Sequence, residues 1–160
     1  MTAFIAPSPQ TLRLTAEELS TFLDGAFPAS VRPTLGEVES LAPNHLRMRL
    51  DPVPTMKRPG DIVSGPTLMA LVDVAAYGII LAHIGPVAMA VTNALSISFL
   101  RACRFEPIFA DARLLKLGRR LATVDVRIWQ RTEDRLIAQS TVGYALPRDG
   151  PNRASTTSNA

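Results

Sequence analysis

Between Asp61 and Arg101 the chain carries one formally charged side chain, Asp73. It lies in an apolar run that starts at Ser64 and reads SGPTLMALVDVAAYGIILAHIGPVAMAVTNALSISFL. Burying an unpaired carboxylate costs several kcal/mol, so a charge at such a place has a partner or a task. Gly85-Pro86 divides the run, and Thr92, Asn93, Ser96 and Ser98 punctuate its second half. That division predicts a buried helix from Pro66 to His83 followed by a strand, rather than a membrane span. Proline suits the first turn of a helix, where its missing N–H leaves no bond unmade. Apolar residues surround the predicted helix on nearly every side, so other elements must enclose it.

The rest of the chain supplies those elements. Thr15-Ala16-Glu17-Glu18 is a capping box that opens an N-terminal helix, expected over 15–24. Strands are expected at 35–42 and 45–50, with Ala42-Pro43-Asn44 as the turn between them. In the second strand His45, Arg47 and Arg49 alternate with Leu46, Met48 and Leu50, a half-buried pattern. Residues 51–63 read as a long loop. Four strands are then expected at 88–101, 109–118, 121–131 and 135–146, joined as a meander through Gly118-Arg119-Arg120 and Thr132-Glu133-Asp134. The fold class is α+β, an antiparallel sheet wrapped around one long apolar helix. One domain over 14–147 is expected, with a flexible stretch at 1–13 and a polar, disordered tail at 148–160.

Composition narrows the function classes. The net charge is +3 and the basic residues are scattered, which gives no nucleic-acid footprint. The single cysteine, Cys103, allows no internal disulfide and reads as a small core residue. With no signal-peptide pattern at the N-terminus, a cytoplasmic location is expected. No pair of His, Cys, Asp or Glu has metal-ligand spacing, and there is no phosphate loop. His83 falls in the last turn of the predicted helix, where an imidazolium suits the dipole.

The chemistry gathers around Asp73. Ser64-Gly65 sits at the helix start, where free N–H groups and the dipole suit a carbonyl oxygen gaining negative charge. Ser64 also suits the N-cap. Thr92 opens the following strand with a hydroxyl, and with Asn93 it offers either structural pairing or a means of holding water. Gly65 and Asp73 are eight residues apart, roughly 12 Å along a helix. A catalytic carboxylate must come within about 3 Å of the group it acts on. Two antiparallel copies of the helix bring Gly65 of one copy near Asp73 of the other, which predicts a two-fold dimer with composite sites.

The segment VSGPTLMALVD, Val63 to Asp73, resembles the signature of the hotdog-fold acyl-CoA thioesterases of the PaaI type, whose usual pattern is HGGxxxxLxD. The resemblance continues through AVTNALSISFLR, LLKLGRRLA and LIAQSTVGY, and covers about residues 35–146. It implies hydrolysis of an acyl-CoA thioester with no metal or redox cofactor, coenzyme A being part of the substrate. It further implies a homodimer or a dimer of dimers; the scattered charge and the interrupted apolar run give the expectation of no nucleic-acid and no membrane partner. In this resemblance the Gly65 N–H polarises the thioester carbonyl, Asp73 acts as general base or nucleophile, and Thr92 helps hold the water. The family histidine is Ser64 here, and the second glycine is Pro66. Arg58 falls near a position that often carries a carbonyl-binding Asn. Lys116, Arg119 and Arg120 resemble a basic strand end that meets CoA phosphates, and read alone they are a solvated turn. Met69, Tyr77 and Phe99 are candidate pocket walls for an apolar or aromatic acyl group. Two other readings stay open, a non-catalytic acyl-CoA binding module and a hydratase or dehydratase of the same fold.

Overall fold

A computed structural model describes residues 10–148. The stretch 1–9 and nearly all of the tail expected to be disordered lie outside the described residues. Helix α1, Ala16–Ala26, opens on the capping box, where Thr15 Oγ1 accepts from the Glu18 N–H and Glu18 accepts from the Thr15 N–H. Strands β1 (Glu37–Ala42) and β2 (His45–Leu50) follow. Asn44 makes the turn between them, with φ at 63° in the left-handed region that asparagine tolerates. The stretch 51–63 is not a plain loop: it holds a 3-10 turn at Pro54–Met56 and a small hairpin of β3 (Lys57–Arg58) and β4 (Ile62–Val63). Helix α2 runs Gly65–Ile84, and strands β5 (Val91–Phe99), β6 (Ile108–Leu117), β7 (Leu121–Gln130) and β8 (Thr132–Ala145) complete the chain.

The six-stranded sheet has the order β1-β2-β6-β7-β8-β5, and every pairing in it is antiparallel. This is the hotdog arrangement, with α2 as the filling. Side chains in register build the face turned to the helix. Leu46, Ala112 and Val126 form one row, and Met48, Ala110 and Ile128 form another. All six are fully buried. Gly78 lets α2 press onto β2, since a Cβ there would lie 2.7 Å from Leu46 Cδ2. Helix α2 is long and apolar enough to cross a membrane, yet 72% of its most apolar window is buried within this fold.

Two strand expectations are corrected. The last four strands are not one meander, because β5 pairs with β8 at the far edge instead of with β6. The connection from β5 to β6 is too long for a hairpin and passes under the ends of β8 and β7. Leu100 and Arg101 donate backbone N–H bonds to Ile137 O. Gln130 Nε2 donates to the Arg104 and Glu106 carbonyls, while its Oε1 accepts from the Arg104 N–H. The second correction concerns Thr132-Glu133-Asp134, which begin β8 rather than form the turn. The chain reverses at Arg131, with φ 62°, and the polar triplet is solvent-facing strand.

The outer face of the sheet carries a paired polar cluster centred on Asp111. Asp111, 4% exposed, accepts from Arg47 at 2.8 and 3.1 Å, from Trp129 Nε1 at 2.6 Å, and pairs with His45 Nε2 at 2.8 Å. Burial alone would raise the Asp111 carboxyl, but the bonds from His45, Arg47 and Trp129 outweigh it and hold it well below the carboxylate range.

Candidate active site

The N-terminus of α2 has one open donor. Ser64 is the N-cap, and its Oγ accepts from the Thr67 N–H at 3.4 Å and lies 2.9 Å from Thr67 Oγ1. The Leu68 N–H donates to Ser64 O, and Pro66 has no N–H. That leaves the Gly65 N–H, which has no partner among the described residues. Pro66 therefore narrows the anion site to a single amide without closing it. The Phe99 ring lies beside Gly65, 3.5 Å from where a Cβ would stand. A cavity of about 760 Å³ opens here, lined by Arg58, Ser64, Gly65, Pro66, Phe99 and Cys103 among others.

Asp73 lies two turns further along, half-buried, and is held from two strands. Thr92 Oγ1 donates to Asp73 Oδ1 at 2.6 Å, and Tyr144 Oη lies 2.8 Å from the same oxygen and 3.1 Å from Asp73 O. Oδ2 has no partner among the described residues. A β-bulge makes this geometry. The register of β5 shifts between Thr92 and Ala94, so Thr92 turns toward the helix along with Leu95 and Ile97. The extra residue, Asn93, is exposed, and its side chain lies over Gly143, where a Cβ would meet Asn93 Oδ1 at 2.6 Å.

Thr92 and Tyr144 are cross-strand partners. Burial pushes the Tyr144 hydroxyl up, so it stays protonated and donates at neutral pH. The cavity beside Asp73 is about 280 Å³ and is walled by Phe27, Tyr77 and Tyr144. Phe27 meets Tyr77 edge-on at 6.1 Å, and Tyr77 stacks on Tyr144 at 6.0 Å.

The two cavities share no lining residue. One chain thus presents a donor half at Gly65 and a carboxylate half at Asp73, apart from each other. Met69 is exposed and, like Asn93, lines neither cavity. Lys116, the exposed penultimate residue of β6, and Arg119 and Arg120, in the β6–β7 turn, do not line the Gly65 cavity. Burial raises the Cys103 thiol to about 12, which keeps it protonated and inert as a nucleophile.

His83 is not an exposed cation at the helix end. It is 4% exposed, Nδ1 bonds Ile79 O at 2.7 Å, and Nε2 accepts from the Asn44 N–H. Burial lowers its pKa, so it is neutral and ties α2 to the β1–β2 turn. The chain has two histidines, and neither lines the cavities at Gly65 or Asp73. Among the described residues, no three His, Cys, Asp or Glu side chains gather as a metal site requires.

Residues 60–137 match the model of the thioesterase superfamily. The chain is also similar to the solved structure of a candidate thioesterase from Silicibacter sp. TM1040, with 35% identity over 88% of this chain and 96% of that one and a TM-score of 0.79. The chain belongs to the thioesterase superfamily. It is accordingly a thioester hydrolase by family. A phenylacetic acid degradation-related candidate thioesterase from Ralstonia eutropha is 25% identical, covers 80% of this chain and 98% of its own, and has a TM-score of 0.70. Zebrafish thioesterase superfamily member 2 shares the fold at 23% identity and a TM-score of 0.74, covering 84% of this chain and 99% of its own. No curated protein matches the sequence.

For a member of the thioesterase superfamily, Tyr144 is the residue that the sequence reading missed. Its only local signal is an inward position in β8, and its role depends on the β5–β8 register, which no single segment reveals.

Proposed function

We propose that the chain hydrolyses acyl-CoA thioesters as a two-fold dimer in the cytoplasm, with Asp73 of one protomer and Gly65 of the other at each site. Asp73 Oδ2 takes a proton from water as its oxygen adds to the thioester carbonyl carbon. The Gly65 N–H and the positive end of α2 stabilise the oxyanion. The C–S bond then breaks, the thiolate leaves and collects a proton, and the carboxylic acid remains. Thr92 and Tyr144 occupy Oδ1, which orients Oδ2 toward the water.

The observation that carries this reading is the separation of Gly65 and Asp73 into two cavities, each incomplete alone. A dimer is supported by β5, a nine-residue strand at the sheet edge with unpaired backbone groups. Met89, Val91, Phe99 and Leu100, on or beside that edge, are 72, 55, 50 and 53% exposed. A ligand of the coenzyme A class is supported by a Streptococcus mutans protein of like fold whose structure was solved bound to acetyl CoA, at 18% identity and a TM-score of 0.64 over 70% of this chain and 88% of that one. The hydratase or dehydratase reading requires an imidazole beside the carboxylate, and neither histidine is there.

The test is thiol release from a panel of acyl-CoAs by the native protein and by Asp73→Asn. A native rate that the variant loses supports the reading. Equal, negligible rates with acyl-CoA still bound overturn it in favour of a binding module.

A further inference from the structure

A second large cavity adjoins the one at Gly65. It measures about 720 Å³ and shares Ile62, Arg101 and Ala102 with its neighbour. Three segments far apart in sequence wall it: the tip of the β3–β4 hairpin, the β5–β6 connection and the β7–β8 turn. They bring together Arg101, Arg104, Arg131 and Arg135.

Two carboxylates line the same cavity, and both are engaged. Glu106 takes two bonds from Arg131, at 2.8 and 2.7 Å, and Asp61 pairs with Lys57. The Arg101 side chain donates to Leu136 O. Arg104 and Arg135 form no salt bridge among the described residues, although the Arg104 charge is near enough to Glu106 to help lower that carboxyl. The wall that carries Arg104 is fixed in advance, by Gln130 from β7 and by the backbone bridge from Ile62 to Arg104. Guanidinium groups that form no salt bridge, on a preformed wall, suit a phosphate, which they grip through paired N–H bonds.

The cavity lies within reach of the reacting centre. Ile62 is bridged to Arg104, and the three residues from Ile62 to Gly65 span roughly 10 Å of extended chain. A pantetheine arm crosses that distance. Lys116, Arg119 and Arg120 lie at the other end of β7, roughly 30 Å away along the ten-residue strand.

We propose that this arginine-lined cavity holds the phosphates of the substrate's nucleotide half, with Arg104 and Arg135 as its main contacts. The proposal rests on the acyl-CoA reading and locates the phosphates at the β7–β8 end of the chain that supplies Gly65.

The experiment compares the native protein with the Arg104→Ala, Arg135→Ala double variant on two thioesters of one acyl group, coenzyme A and N-acetylcysteamine. For the CoA thioester KM rises at least about tenfold with kcat held, and the truncated thioester is turned over as before. Equal losses on both substrates overturn the proposal. So does an unmoved KM while Arg119→Ala with Arg120→Ala raises it. If the native protein hydrolyses neither thioester, the acyl-CoA reading fails and calorimetry with 3′-phosphoadenosine 5′-diphosphate reads the cavity alone. Binding that the double variant weakens by the same factor supports the phosphate site, and binding it leaves unchanged, or no binding, overturns it.

Discussion

Tyr144 Oη and Thr92 Oγ1 meet on one oxygen of Asp73, at 2.8 and 2.6 Å, from strands paired so that the two residues face each other. The carboxylate is held by a sheet rather than by its own helix. Tyr144→Phe removes one hydroxyl and keeps the ring stack on Tyr77. Its expected effect is a fall in kcat of about tenfold with KM little changed, and a stability loss of about 1 kcal/mol. Steady-state kinetics beside a thermal melt checks this. Thr92→Val repeats the loss, and the double variant loses more than either.

The bulge that aims Thr92 depends on a glycine. A Cβ at Gly143 would stand 2.6 Å from Asn93 Oδ1. Gly143→Ala is expected to destabilise the protein by about 1–3 kcal/mol and to lower kcat. Asn93→Ala in the same chain removes the clash and restores most of both. A double-mutant cycle by denaturant unfolding measures that coupling, and simple additivity of the two changes contradicts it.

Acid should reveal the outer face of the sheet. Asp111 is held below the carboxylate range by His45, Arg47 and Trp129, so it binds a proton more readily unfolded than folded. Its stabilisation is complete above the unfolded value of about 3.9 and is lost as pH falls toward the depressed folded value. The native melting temperature should fall steeply below about pH 4. Asp111→Asn should show a shallower slope there, and near neutrality a loss of up to about 3–5 kcal/mol from disrupting a buried ionic cluster.

Local signals were legible in the sequence and sheet-wide ones were not. The alternation in His45–Leu50, the capping box at Thr15 and the lone charge at Asp73 each depend on neighbours within one turn or strand, and each sits where its pattern placed it. Strand order is a different matter. Phe99 and Ile108 are close in sequence, but β7 and β8 lie between their strands, a choice made by pairing over forty residues. Tyr144, Arg104 and Arg135 escaped notice for the same reason, since each acquires its neighbours only when the sheet closes. His83 misled because its position in the last turn suggested a cation, whereas the β1–β2 turn buries it.

The central claim is that Gly65 of one protomer and Asp73 of the other complete each site, and subunit mixing tests it most directly. Asp73→Asn lacks the base, and Gly65→Pro lacks the one open N–H at the start of α2. Each variant alone should release little thiol from an acyl-CoA. Unfolded together in equal amounts and refolded, they form hybrid dimers in which one site has both intact residues. The account expects recovery of about a quarter of the native rate per protomer, from half the dimers carrying one good site each. A mixture that sediments as dimers and stays as inactive as its components would contradict it.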